Sequence, residues 1–321
     1  MKTELRPDID AEYRQVREEC GLLLRSRSAI EVSGAEAGEY LQGQVTNDAE
    51  GLPVGDGCYA LLLDRKGHIQ ADMRILRLDT DRYRIDTSPA AGPALLKHLD
   101  MYRIGRDVEV RGEAVSAISL LGPGSVAVTG LAPGDEFAST QTTIAGVECL
   151  AVATVHGIDV LCPPGDSAAV RDQLTADGAV PVSEAAAEIL RVEEGRPSLE
   201  KELAAGPMPA EAGLVERAVD FSKGCYIGQE PVARLHYRGK PNRHLRGLRT
   251  RGPLADGDVV RLGERELGKV GTAVISPASG RIALAILRKE AEPGSTVSVE
   301  TADGEVAATV VELPFPAGAE R

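Results

Sequence analysis

The sequence lacks tryptophan and has few other aromatic residues, with three Phe and seven Tyr among 321 residues. Its core must therefore be built from Leu, Val, Ile and Ala. No apolar run approaches the ~18–20 residues that a membrane-spanning helix needs. The first ten residues, MKTELRPDID, have no hydrophobic stretch behind their lysine, so we expect no signal peptide. These absences predict a cytoplasmic protein with no membrane partner.

Cysteine is also scarce, and the five cysteines are scattered without a C-x-x-C pair: Cys20, Cys58, Cys149, Cys162 and Cys225. An odd, dispersed set fits a reducing cytoplasm and offers neither a disulfide framework nor a cysteine zinc site. The five histidines never pair with a cysteine or carboxylate at metal-ligand spacing. No phosphate loop, H-E-x-x-H or G-x-S-x-G motif occurs. We therefore predict no metal site.

The net charge of -13 is unevenly distributed along the chain. Between Lys223 and Arg251 there are eight Lys or Arg and one acid, Glu230, so this basic segment carries +7 and the remainder -20. The acidic total argues against a general polyanion binder, because negative charge repels phosphate backbones. The basic segment is the exception to that argument.

Hydrophobic spacing and turn signals predict an α+β region followed by a small β domain. From Leu245 onward, short strands punctuated by glycines are typical of an all-β barrel or sandwich, so we place a domain boundary close to residue 244. The predicted elements before that boundary are a helix at 8–24, a strand at 29–32, a helix capped by Ser33, a hairpin of 58–63 and 68–78, a strand at 83–87, a helix at 89–101, a strand-rich stretch at 114–162 broken at 122–124 and 133–134, helices at 165–176 and 183–194, the second capped by Ser183, and an irregular stretch at 196–222.

The densest chemistry lies between Phe221 and Arg234. Two glycines, Gly224 and Gly228, flank Cys-Tyr-Ile and predict a tight backbone path, with positive φ or close approach of another group. A lone cysteine beside a lysine would have its thiolate stabilised and its reactivity raised. The alternative is that Cys225 is a small buried apolar residue.

Four ordered stretches resemble the YgfZ family of folate-binding proteins, whose fold is similar to that of the T-protein (aminomethyltransferase) of the glycine cleavage system. The mitochondrial branch of that family is a factor for assembling iron–sulfur clusters. The stretch K-G-C-Y-I-G-Q-E at 223–230 is the most specific of the four. The others are S-G-A-E-A to T-N-D at 33–48, continuing to 60–72, R-V-E-E-G-R-P at 191–197, and P-A-E-A-G-L at 209–214.

The resemblance implies a three-lobed, aminomethyltransferase-like fold around a channel that holds a reduced folate. On this reading residues 1–244 form two interleaved α+β lobes that bind folate, and residues 245–321 form a C-terminal β-barrel. The implied cofactor is tetrahydrofolate or a one-carbon derivative. The implied folate-contacting residues are Glu193, Glu211, Asn47, Tyr226, Arg234 and Arg238.

Physical reasoning gives four of the implied contacts an alternative. A carboxylate such as Glu193 suits the adjacent N–H donors of a pterin, although Glu193 could instead be an exposed helix-end charge. Guanidinium forks such as Arg234 and Arg238 suit an anionic glutamate tail, although they could pair with the acidic body. Asn47 and Asp48 could line the channel or form an Asx turn.

Two departures from the T-protein pattern favour the YgfZ reading. Aminomethyltransferases usually carry Asp-Asp in the second hairpin strand, where one carboxylate assists attack by a folate nitrogen. Here the pair is Ala71-Asp72, so one carboxylate is missing. The K-G-C-Y motif is also not a T-protein feature. Cys225 and Asp72 are therefore the residues that we expect to carry any chemistry.

Three functions follow in order of preference. The first is a folate-binding protein that supports assembly or repair of iron–sulfur enzymes, including those that thiolate tRNA, with iron–sulfur clients or assembly factors as partners. The second is folate-dependent aminomethyl or methyl transfer. The third is tRNA docking on the basic segment, which is short and has few aromatics for such a footprint.

Overall fold

A computed structural model of the chain describes residues 8–132 and 134–316. The first seven residues, where no signal peptide is predicted, Pro133 of the predicted break at 133–134, and residues 317–321 lie outside the described residues. The described chain forms two compact units. The first unit comprises residues up to Arg65, Gln70–Ala186 and Arg217–Gln229, and the second comprises Lys66–Ile69, Ala187–Glu216 and the chain from Glu230 onward.

The first unit contains two β-sheets. One is built from β2 (Ser28–Ser33), β3 (Gly57–Leu63), β4 (Ile69–Asp79), β5 (Arg82–Thr87) and β6 (Glu109–Glu113), in the order β3-β4-β5-β2-β6. The other is built from β1 (Gly21–Arg25), β7 (Ser116–Leu121), β8 (Ser139–Ile144), β9 (Val147–Thr154), β10 (Gly157–Cys162) and β11 (Val180–Pro181), in the order β11-β1-β7-β10-β9-β8.

Helices of the first unit are α1 (Ile9–Glu18), α2 (Ala37–Gln44), α3 (Gly92–Tyr102), α4 (Ser125–Thr129) and α5 (Ser167–Ala176), with a 3-10 turn at Pro164–Asp166. The short helix α7 (Val215–Ala218) has two residues in each unit. Apolar side chains of the six-stranded sheet and of α5 form one buried cluster that includes Ile118, Val160 and Val170. This burial is what stabilises the sheet, since apolar surface removed from water contributes roughly 25 cal/mol per Å².

The second unit is centred on a closed six-stranded barrel. Its strands are β12 (Arg243–Thr250), β13 (Val259–Leu262), β14 (Arg265–Ser276), β15 (Gly280–Arg288), β16 (Thr296–Thr301) and β17 (Gly304–Val311), in the order β12-β15-β14-β13-β16-β17. Every barrel pair is antiparallel. Helices α6 (Glu184–Glu193) and α8 (Gln229–Arg238) lie mostly in this unit.

The predicted fold class, α+β with a small C-terminal β-barrel, is confirmed, and the barrel replaces the sandwich alternative. The hairpin of 58–63 and 68–78 forms as β3 and β4. The domain boundary near residue 244 stays a prediction.

The helix predicted at 8–24 is too long. It ends at Glu18, and Gly21–Arg25 form β1, which pairs with β7 on one side and with β11 on the other. The periodicity of a short apolar run such as Leu22-Leu23-Leu24 fits a strand and a helix equally well. Here the run forms a strand because it pairs with strands far along the chain.

The predicted Ser33 cap is wrong, because Ser33 is the last residue of β2, and α2 begins after Glu36 without a side-chain cap. Ser183 directly precedes α6, where the cap is predicted, and its hydroxyl and backbone N–H both donate to the Glu12 carboxylate. Helix α8 was not predicted, although Pro231 in its first turn and Arg238 in its last turn are ordinary helix-end signals.

Among the described helices, none is both long and apolar enough to cross a membrane.

Buried ion pairs join the two sheets of the first unit. Arg74 on β4 contacts Asp86 on β5 and Asp159 on β10, and Arg27 also contacts Asp86. The Asp86 side chain is completely buried, and Ser119 donates to Asp159. Burial would raise the pKa of Asp159, but the charges of Arg74 and Arg25 and the hydrogen bonds from Ser119 and Arg74 together lower it. The Asp159 carboxylate therefore stays ionised and paired.

Replacing Asp86 with alanine should lower the free energy of unfolding by about 3–5 kcal/mol, because buried guanidinium groups lose their partner. Asp100→Ala is the matched control, since Asp100 pairs with Arg103 at the surface and its side chain is 57% exposed. It should cost less than about 1 kcal/mol. Urea unfolding of both variants measures the difference, and equal losses would contradict a central role for the buried pair.

Candidate functional site

A partly buried ammonium, that of Lys223, anchors the 223–226 segment to the end of α2. Lys223 Nζ donates to the backbone carbonyls of Gln42 (2.8 Å), Val45 (2.7 Å) and Asn47 (2.9 Å). An ammonium has three hydrogens, so these bonds use all of them and none is given to Cys225. Lys223 therefore positions the segment. The sequence alone predicts a different role, in which Lys223 stabilises the Cys225 thiolate.

The loop around Cys225 follows a turn and leaves the thiol at the surface. Gly228 has φ of +82°, as predicted for a tight path, whereas Gly224 has no positive φ, and a side chain there would meet no other described atom within 4 Å. Cys225 is exposed, so the alternative of a buried apolar cysteine is excluded.

Tyr226 presents a polar atom without a partner. Its side chain is buried, and its hydroxyl has no hydrogen-bond partner among the described residues. Lys223 Nζ lies 5.2 Å from the centre of the Tyr226 ring. Burial raises the pKa of Tyr226 to about 12, so the phenol is protonated at neutral pH. It is therefore a donor that no described residue satisfies.

Asp72 is oriented by a buried tyrosine on the neighbouring strand. Tyr59 Oη donates to Asp72 Oδ2 at 2.8 Å. Burial, and then the Asp72 charge, raise the pKa of Tyr59 well above its ordinary value, which keeps the phenol a donor. The guanidinium of Arg217 lies 4.5 Å from the Tyr59 ring centre and pairs with Glu136 at 2.7 Å. Asp72 is thus held in one orientation while remaining partly exposed.

Within the first unit, Asn47 lies between the Lys223–Tyr226 segment and the hydrogen-bonded pair of Tyr59 and Asp72. Its Nδ2 donates to the carbonyls of Tyr59 (2.9 Å) and Arg217 (3.3 Å), and its own carbonyl accepts from Lys223. Asp48 Oδ1 accepts from the backbone N–H of Gly51. Asp48 therefore takes part in a local turn, which is the alternative to lining the channel. The first unit therefore brings Asn47 close to the segments that carry Asp72 and Tyr226.

In the second unit, Glu193 is a buried carboxylate at the end of α6, with 5% of its surface exposed. The alternative of an exposed helix-end charge is therefore excluded. Ser276 Oγ donates to Glu193 Oε1, and the backbone N–H of Phe315 donates to the Glu193 carbonyl at 2.8 Å. The helix stops here because Gly195 has φ of +69°, and a side chain at 195 would lie 2.6 Å from Leu313 Cβ.

Arg191 fixes α6 against the barrel and so positions Glu193. It donates to Glu202 Oε2 (3.0 Å) and to Thr272 Oγ1 on β14 (2.7 Å). Thr272 Oγ1 in turn donates to Glu202 Oε1 at 2.6 Å. A closed network of this kind leaves the helix little freedom to turn.

The other predicted residues of the second unit are less enclosed. Glu211 Oε2 accepts from the Met208 backbone N–H (3.0 Å), which closes a local turn. Arg234 and Arg238 on α8 are exposed, and the described part of the chain places no carboxylate at ion-pair distance from either. The alternative that they pair with the acidic body therefore finds no support in the described residues.

Three residues of these arrangements were not singled out from the sequence: Tyr59, Arg217 and Ser276. Tyr59 lies inside a strand-like apolar run, where a lone phenol is a weak signal of a polar role. Ser276 contacts Glu193 across 83 residues of chain, and no local sequence pattern predicts such a contact.

Two family models together match nearly the whole chain. The model for the GCVT N-terminal domain matches residues 2–223, and the model for the glycine cleavage T-protein C-terminal barrel domain matches residues 243–316.

Individual proteins of known name are similar over most of their length. The aminomethyltransferase of Saccharopolyspora erythraea is 30% identical, over 95% of this chain and 89% of that protein. The aminomethyltransferase of Exiguobacterium sibiricum is 29% identical, over 96% and 89%. The crystal structure of the glycine cleavage system aminomethyltransferase T from Bartonella henselae has the same fold, with a TM-score of 0.87, 23% identity, and coverage of 97% of this chain and 90% of that one.

The Lys223 ammonium should titrate at an unusually low pH. Burial lowers its pKa to about 8, whereas a lysine in the unfolded chain titrates near roughly 10.4. Between these pH values the unfolded chain holds the proton and the native protein does not, so the contribution of Lys223 to the free energy of unfolding rises with pH across that window.

NMR titration of ¹³C-labelled lysine side chains should show one signal with a midpoint near pH 8. That signal should be absent from Lys223→Gln and unchanged in Lys240→Gln, which removes an exposed lysine of the same basic segment. Its persistence in Lys223→Gln would contradict the assignment.

Proposed function

Because this chain belongs to the glycine cleavage T-protein family, we propose that it binds a reduced folate and acts as a YgfZ-like factor in the assembly or repair of iron–sulfur enzymes. The aminomethyltransferase-like fold is common to the family. The choice of the YgfZ-like branch comes from the segment at 223–230 and from the single carboxylate of the Ala71-Asp72 pair.

The partnerless hydroxyl of Tyr226 is the observation that carries the folate proposal. A buried polar atom without a partner costs about 1–3 kcal/mol and calls for an explanation such as a ligand. This hydroxyl lies in the most family-specific stretch of the sequence, and Lys223 holds that stretch in place. A folate offers ring nitrogens and carbonyl oxygens that such a phenol can bind.

Glu193 has the chemistry to hold the pterin edge. The hydrogen bond from Ser276 orients the Glu193 carboxylate. The paired N–H donors of a pterin suit bidentate acceptance. When bound, a reduced folate supplies a nitrogen that carries one-carbon groups. The exposed Arg234 and Arg238 have the charge that an anionic glutamate tail requires.

Cys225 is the thiol that we assign to the iron–sulfur role. It is exposed, whereas burial raises the pKa of Cys58 to about 12 and keeps that thiol protonated. The described residues contain no group of three or more His, Cys, Asp or Glu side chains placed to hold a metal. A cluster handled here is therefore cargo whose remaining ligands come from a client protein or an assembly factor.

A second function, folate-dependent aminomethyl transfer, is favoured by the names of the relatives and by one contact. Tyr59 orients the Asp72 carboxylate on the second strand of the hairpin, where the family's assisting carboxylate is expected. In this reading Asp72 would help a folate nitrogen to attack an aminomethyl group. The tRNA-docking hypothesis stays a prediction.

Tyr226→Phe should weaken the binding of tetrahydrofolate by roughly three- to tenfold, the effect of one hydrogen bond. It should not lower stability, because the native protein loses only an unsatisfied hydroxyl. Anaerobic isothermal titration calorimetry and urea unfolding measure the two quantities.

Tyr40→Phe is the matched control for that experiment. The Tyr40 hydroxyl donates to the Leu99 carbonyl at 2.6 Å, so its loss should cost about 1 kcal/mol of stability and leave folate affinity unchanged. A Tyr226→Phe protein that binds tetrahydrofolate as tightly as the parent would remove the basis of the folate assignment for this residue.

Cys225→Ser should fail to restore iron–sulfur enzyme activity in a strain that lacks this protein, whereas Cys58→Ser should restore it. The aminomethyltransferase alternative instead predicts that the purified protein turns over an aminomethylated carrier in the presence of tetrahydrofolate, and that Asp72→Asn abolishes this turnover. Full restoration by Cys225→Ser, together with turnover that depends on Asp72, would overturn the first function in favour of the second.

A further inference from the structure

The barrel of the second unit carries an open cavity of about 880 Å³, a size typical of small-molecule pockets. None of the residues implied in folate binding lines it. Its polar lining is dominated by three arginines, Arg249, Arg251 and Arg281, and no acidic residue lines it. The apolar part of the wall comes from Pro277, Ala278, Val306 and Ala307.

Strand pairing brings the three arginines together. Thr250, the last residue of β12, is the register partner of Arg281 near the start of β15. Arg249 and Arg251 flank Thr250 in the sequence, so all three arginines lie at the same end of two paired strands. Arg281 shares the face of its register partner Thr250, whereas Arg249 points to the other face, and both side chains line the cavity.

The opposite wall is also fixed. It is the tight turn between β14 and β15, where Ser276 Oγ accepts hydrogen bonds from the backbone N–H groups of Ala278 (3.0 Å) and Ser279 (2.8 Å). Because Ser276 itself is buried and bonded to Glu193, the turn cannot move without breaking several hydrogen bonds. A cavity between two such walls is preorganised, which lowers the entropic cost of binding.

Arg249 has buried donors that no described residue satisfies. Its Nε and Nη2 atoms are both buried and lack a hydrogen-bond partner, and within residues 8–132 and 134–316 no carboxylate lies at ion-pair distance from any of the three arginines. Several other barrel arginines are paired, for example Arg261 with Glu300 at 2.6 Å, although the Nε of Arg246 is also buried without a partner. Buried polar groups without partners are rare in native proteins, and a bound ion or ligand is a common reason for them.

The chemistry of the cavity defines what would fill it. Three guanidinium groups without acids create a strongly positive potential, and their planar forks match the oxygens of phosphate and carboxylate groups. The apolar wall would contact a carbon framework. We propose that this cavity binds a small organic anion that carries phosphate or carboxylate groups. The proposal stands apart from the folate-binding function and does not depend on it.

Isothermal titration calorimetry of the full-length protein with inorganic pyrophosphate and, separately, with citrate tests the proposal and distinguishes the two kinds of anion. At least one probe should bind with one-to-one stoichiometry, more weakly as salt is added. Arg249→Gln and Arg281→Gln should each reduce its affinity by about tenfold or more, as expected for the loss of charge-assisted hydrogen bonds. Arg251→Gln, at an exposed position, should weaken binding without changing thermal unfolding.

Arg288→Gln is the matched control, because Arg288 lies at the other end of the same strand as Arg281, is exposed and does not line the cavity. It should retain the parent affinity within about twofold, as expected for a distant surface charge. Binding should also be unchanged when tetrahydrofolate is present at saturation. The proposal is wrong if neither probe binds, or if tetrahydrofolate competes with the probe. It is also wrong if the control Arg288→Gln weakens binding as much as the three cavity variants do.

Discussion

The buried pairing of Arg74 with Asp86 and Asp159 is the interaction on which the first unit depends. It joins the two sheets through charges that are removed from water, and such charges are tolerated only when every partner is present. Residues two apart on a strand point to the same face, so Asp72 lies on the face of β4 that carries Arg74. The strand that presents the candidate site carboxylate is therefore held rigid by the ion pairs that unite the sheets.

Lys223 plays the corresponding role for the 223–230 segment. Three main-chain carbonyls hold its ammonium, and this orders the loop in which Cys225 is exposed and Tyr226 is buried. Because the Lys223 ammonium is bonded to carbonyls, the exposed Cys225 thiol remains accessible to a partner. Lys223 also holds the Tyr226 ring in place. The segment thus acts through its position in the fold as well as through its thiol.

The basic segment 223–251 divides into three parts in the structure. Lys223 is an internal anchor, Arg234 and Arg238 are exposed on α8, and Arg249 and Arg251 line the barrel cavity. A net charge of +7 therefore does not describe one continuous binding surface. Lys223 binds backbone carbonyls, whereas we propose an anionic folate tail for the second part and a small anion for the third.

The sequence by itself determined the order of most strands and helices, the all-β character of the C-terminal part and the importance of the 223–230 segment. Those properties follow from local periodicity, turn residues and a rare motif, which can be read within short windows. Only the tertiary structure decided that residues 21–25 form a strand, that Cys225 is exposed, and that Glu193 is buried against Ser276. Such outcomes depend on contacts between residues tens to hundreds of positions apart, and the free energy of those contacts overrides local preference.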